Sequence, residues 1–177
     1  MAVEVKVGIR GISDYLQHKR PFEEDDKALQ KRTGEVDYSK EVEKTIYRED
    51  DIGCYIPSKH IRACFVQAGS SFKAGGMRTY KKMLNAVIEV DPDRIPLKKK
   101  NYDYVHKEFV KLQGNQVLRF RPAFEKGWEA EFKLIILDEE QIPVDVMKQI
   151  AEYAGKFIGI GDWRPHFGRF EVVEFKE

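Results

Sequence analysis

PVDVMKQIAEYAGKFIGIGDWRPHFGRFEVVEF, residues 143–175, holds three readings in succession. After Pro143, the residues Val146, Met147, Ile150, Ala151 and Ala154 recur at helical spacing, which predicts an amphipathic helix with Gly155 as its natural stop. From Phe170 onward, Val172, Val173 and Phe175 read as a final strand. The connection between them, GIGDWRPHFGRFEV (159–172), combines Gly159, Gly161 and Gly168 with Arg164 and Arg169 and with the rings of Trp163 and Phe167. Glycines let a backbone approach a phosphate or a neighbouring chain closely. Arginines and aromatic rings are the side chains that hold phosphates and stack on bases. The same rings can equally pin a long loop to the core, and both readings stay open at this point.

Earlier segments supply the partners of that helix and strand. Trp128, Ala130, Phe132, Leu134 and Ile136 alternate strictly, so they predict a long strand packed on one face. Residues 102–124 read as strand, a turn at Gln113-Gly114-Asn115, and strand. Ala86, Ile88 and Val90 suggest another strand closed by the turn DPDRIP, and Lys98-Lys99-Lys100 a solvated turn. In residues 56–69, Ile61, Cys64, Phe65 and Ala68 form one apolar helical face, with Ser58 as N-cap and Gly69 as the end. Residues 70–83 read as a basic, glycine-containing loop, and residues 13–51 as a polar insertion, irregular or partly helical. Val3, Val5, Val7 and Ile9 make the first strand, ended by Gly11. Strand–helix–strand repeated twice is the ferredoxin-like or RNA-recognition-motif arrangement. The predicted fold is therefore α+β: an antiparallel sheet with two helices on one face, extra strands decorating one edge, and one domain over 1–177. Such a sheet leaves its other face open to a ligand.

Composition narrows the function classes. A 42% hydrophobic, 12% aromatic chain of 177 residues can bury a core and is not a disordered segment. The N-terminus alternates apolar and charged residues, and no apolar run is long enough to span a bilayer, so the expected location is cytoplasmic with no membrane partner. Cys54 and Cys64 fall in no metal-ligand spacing, so neither a metal nor a cofactor is expected. There is no P-loop, dinucleotide fingerprint or Ser/His/Asp pattern. Net charge is +1, but its distribution is uneven: residues 52–88 contain no Asp or Glu, while holding Lys59, Arg62, Lys73, Arg78, Lys81 and Lys82. An acid-free block of this length makes a positive potential wherever its side chains converge.

Two segments carry a family resemblance. IPSKHIRACF (56–65) resembles the opening of the first helix in the repeat-associated (RAMP) superfamily of CRISPR proteins, above all the backbone subunits that coat guide RNA. Ile56-Pro57, Ile61 and Arg62 match, whereas Ser58 and Ala63 stand where the family usually has glycine. The second segment is the connection 159–172. Gly159, Gly161, Gly168 and Arg169 resemble the family's glycine-rich loop, which lies between its second helix and last strand. The resemblance implies binding of RNA or single-stranded DNA, as a homo-oligomer assembled side by side or as a ribonucleoprotein subunit. A stand-alone relative from a phage or mobile element fits the same motifs.

The residues expected to bind nucleic acid are Lys59, His60 and Arg62; Lys73, Arg78, Lys81 and Lys82; Arg119 and Arg121; and Trp163, Arg164, Phe167 and Arg169. Binding through phosphates and stacking would be largely independent of sequence. Two alternatives stand beside simple binding. One is a metal-independent endoribonuclease with His60 or His166 as its acid–base group. The other is a structural subunit whose glycine loop docks a neighbouring copy.

Overall fold

The computed structural model describes residues 1–20, 38–112 and 114–177. Its central sheet is built from β1 (Val3–Gly11), β7 (Ile88–Asp91), β11 (Glu129–Ile136) and β12 (Phe170–Lys176), all antiparallel, in the order β12-β1-β11-β7. With α2 (Ser58–Ala68) crossing from β1 to β7 and α4 (Val144–Tyr153) crossing from β11 to β12, this is the ferredoxin-like topology. The fold is α+β.

Period-2 burial explains the sheet and period-3.6 burial explains the helices. Val5, Val7 and Ile9 of β1 and Ala130, Phe132, Leu134 and Ile136 of β11 are all buried on one face. The buried side of α2, Ile61, Cys64, Phe65 and Ala68, packs on that face, with the Phe65 and Phe132 rings 6.2 Å apart. Burying a side chain of that size contributes about 1.5–3 kcal/mol. Cys64 and Cys54 are buried free thiols whose pKa values burial pushes up, to about 12 and about 11.

The remaining strands do not extend an edge of this sheet. Apart from a short hairpin that follows α2, they lie in two insertions, one between β1 and α2, the other between β7 and β11. The first holds β2 (Tyr15–Leu16), α1 (Tyr38–Thr45), β3 (Arg48–Glu49) and β4 (Gly53–Pro57). The second holds β8 (Arg94–Lys99), β9 (Tyr104–Leu112) and β10 (Asn115–Phe124). The insertions pair with each other, giving the sheets β2-β10-β9 and β3-β4-β8. Residues 21–37 of the polar insertion lie outside the described residues.

Several local expectations are corrected. Ser58 does not cap α2; its hydroxyl lies 3.4 Å from Asp93 Oδ1 and its amide bonds Asp93 O. Residues 70–83 are ordered into a short hairpin, β5 (Lys73–Gly75) and β6 (Arg78–Thr79), followed by α3 (Lys81–Val87), so β7 starts at Ile88 and not at Ala86. Lys98 and Lys99 belong to β8, whose alternation Ile95, Leu97 is hidden by Pro96 and the lysine run. Gly155 does not stop the second helix. The chain continues through a π-helical turn, Ala154–Ile158, and leaves it at Gly159. Gly155 is needed for packing, because a Cβ there would stand 2.3 Å from Phe170 O.

Candidate nucleic-acid interface

The glycine loop closes on itself and is held to residues 13–16, which it crosses. Gly168 N donates to Asp14 O (2.7 Å), Asp162 N to Leu16 O (2.9 Å), Ile160 N to Gly168 O (2.9 Å) and Arg169 N to Ser13 Oγ (3.0 Å). A Cβ on Gly161 (φ +82°) would lie 2.3 Å from Leu16 O, and one on Gly168 (φ +75°) 1.7 Å from Ile160 O. These glycines therefore serve approach to the protein's own backbone, and the Asp162 and Gly168 amides are already occupied.

That docking brings together two regions far apart in sequence. The loop, the segment 15–20 that begins with β2 and the start of α2 enclose a cleft of about 230 Å³ lined by Gln17, His18, His60, Asp162 and Arg164. A second hollow of about 360 Å³ adjoins it, lined by Lys19, Arg20, Tyr47 and Lys59, with His18 and His60 common to both. Sequence reasoning missed Lys19, Arg20 and Tyr47; the run His18-Lys19-Arg20 was the available signal, masked by the acids that follow it.

Electrostatics in the cleft favour an anion. His60 is half-buried with its ring edge-on to Tyr47 at 5.4 Å, and its buried Nδ1 has no partner among the described residues. Burial first, then Lys59 and Arg164, push its pKa down to about 4, so the imidazole is neutral near pH 7. Burial and Arg121 likewise lower that of His18, against the opposing charge of Asp162 at 3.7 Å. Asp162 is the carboxylate lining the cleft, and Arg121 Nε neutralises it at 2.7 Å. Arg164, exposed on the loop with Pro165 and His166, forms no ion pair among the described residues.

Other expected residues go elsewhere. Arg62 is spent inside the protein, its Nε donating to Ile88 O (3.1 Å) and its other nitrogens to Asn85. Arg121 is 6% exposed and bridges Asp162 and Glu41, while Arg119 approaches Glu41 at 3.6 Å. Neither projects onto the open face of the central sheet. Trp163 and Phe167 are half-buried against His106 of β9, with ring centroids 5.3 and 5.0 Å away, and Arg121 lies 5.8 Å over Trp163. Arg169 is half-buried, with its Nε buried and unpartnered among the described residues. Lys73, Arg78, Lys81 and Lys82 stand exposed beyond the C-terminal end of α2, so the structure does not bring them to the cleft. Among the described residues the open sheet face carries no stacking rings at its centre. It carries the ion pairs Lys6–Glu174, Arg10–Glu129, Lys133–Glu4 and Lys98–Glu131, whose carboxylates oppose phosphate.

Among the described residues no group of three His, Cys, Asp or Glu side chains could hold a metal, and no helix is long and apolar enough to cross a membrane. No protein-family model matches the chain, and no curated protein matches its sequence. Among solved structures, a chain in the cryo-EM structure of the type III-B Cmr-beta assembly bound to cognate target RNA is similar over 99% of this chain, with a TM-score of 0.57 at 12% identity. This chain spans 60% of that chain's length. The crystal structure of Cmr6 from Pyrococcus furiosus is matched over 98% of this chain and 99% of that one, with a TM-score of 0.43 at 9% identity. At such identities the likeness concerns architecture: the protein has an α+β fold with a ferredoxin-like core, shared with a chain of the type III-B Cmr-beta assembly.

Proposed function

We propose that this protein binds single-stranded nucleic acid, RNA foremost, through the cleft between the start of α2 and the glycine loop, and acts as a subunit of a ribonucleoprotein. The observation that carries this is the convergence of Lys59, His60, Arg164, Lys19 and Arg20 around hollows whose one carboxylate among the described residues is already paired. Phosphate is the ligand such a site suits, and contacts to phosphate carry no sequence information. The similar fold in an assembly bound to target RNA supports the choice of RNA.

Fluorescence anisotropy with labelled oligouridine RNA and its DNA counterpart tests it. Affinity should fall steeply with salt, because each neutralised phosphate releases counterions. Arg164→Ala and Lys59→Ala should each weaken binding and reduce the slope of log K against log salt by about 0.7. No binding to either polymer at low salt would remove the proposal.

A second reading has one observation in its favour: His18 and His60 both line the cleft, neutral near pH 7. A neutral imidazole so placed can serve as the general base of metal-independent RNA cleavage. Cleavage of labelled RNA in EDTA, lost in His60→Ala, would establish that reading; intact RNA would dismiss it.

A further inference from the structure

The loop rings are engaged by His106, yet a different ring is exposed. In a continuous α-helix, Phe157 would follow Ile150 and Ala154 on their buried face, at i+7 and i+3. The π-helical turn Ala154–Ile158 inserts an extra residue and rotates Phe157 outward, where it is 50% exposed. Its ring lies 4.7 Å from that of Tyr153, which Phe72 meets edge-on at 5.5 Å and Ser71 holds with a hydrogen bond of 3.1 Å. Lys156 Nζ sits 5.4 Å from the Phe157 centroid. Phe72 leads directly into the hairpin β5–β6 and α3, with exposed Lys73, Arg78, Lys81 and Lys82, none paired with a carboxylate among the described residues. Glu152 is the acid nearest in sequence to this ledge.

We infer that the ledge of Tyr153 and Phe157 is a second contact for the strand, at the opposite end of α2 from the cleft, where a base stacks on Phe157 and the hairpin and α3 cations take the flanking phosphates. This rests on the nucleic-acid reading of the cleft. Unpaired cations around an exposed ring fit a polyanion with flat faces, whereas an apolar protein partner would leave those charges desolvated.

The test is anisotropy with oligouridine of about 16 nucleotides, long enough to reach past one contact. Phe157→Leu keeps the bulk and removes the π face, and should weaken binding about fivefold to a hundredfold. Phe157→Tyr should bind as wild type, and Lys81→Glu should weaken binding and lower the salt slope. If Phe157→Leu binds as wild type while Arg164→Ala is weakened, the ledge is overturned and the cleft stands. If wild type itself does not bind, the functional reading has failed instead. Sedimentation completes the set: self-association abolished by Phe157→Leu with RNA affinity unchanged would make the ledge a protein contact and overturn the inference.

Discussion

Gly168 sits at φ +75° with the Ile160 carbonyl where a methyl group would go. A residue other than glycine there meets backbone strain of about 1–3 kcal/mol and a contact that no rotamer relieves. Gly168→Ala should therefore cost roughly 2–4 kcal/mol, read as a lowered denaturant midpoint. Wild-type stability would mean that the loop is not closed as described. His60 makes a different residue-scale prediction. Its native pKa of about 4 lies below the ordinary value of 6.5 expected of the unfolded chain, so the unfolded state takes up the proton first. Stability linked to His60 is present above that range and is lost as pH falls from 6.5 toward 4. The thermal midpoint of wild type should decline across this window more than that of His60→Asn; parallel profiles would refute it. An anion in the cleft favours the protonated imidazole, so binding should strengthen as pH falls through the acid range.

At the scale of elements, the glycine loop is positioned by a side chain that the sequence offers as a ligand. Arg121 of β10 reads as a cation on an open face because Phe120 and Leu118 alternate with it. In the structure it joins Asp162 of the loop to Glu41 of α1, nearly buried. Removing one member of such a cluster leaves carboxylates without their counter-ion. Arg121→Met should destabilise by about 2–4 kcal/mol and speed hydrogen exchange at the Asp162 and Gly168 amides. Unchanged exchange there would show that the loop is held by its backbone bonds alone. Elements with an unbroken period were legible: β1, α2, β11 and the β9–β10 hairpin fall where alternation and helical spacing put them. β8 and α3 were not, because Pro96, the lysines and a short apolar pattern of Leu84 and Val87 give no period long enough to register.

For the molecule as a whole, the sequence by itself determined the ferredoxin-like frame. Each of its strands and helices buries its own face, and local patterning records that burial directly. It also recorded the acid-free block and the placement of the glycine loop between helix and final strand. Tertiary structure alone decided what those features meet. The two insertions pair with each other, β2 on β10 and β4 on β8, and no local period encodes a partner that distant along the chain. That pairing lays residues 15–20 under the loop and assembles the cleft. It also turns Trp163 and Phe167 onto His106, and leaves the hairpin and α3 cations at the far end of α2. Which cations stay free is a matter of which carboxylates fold beside them. For Arg164 and Lys59 none does among the described residues, and for Arg121 two do, because charge pairing depends on distance in space and not on order along the chain.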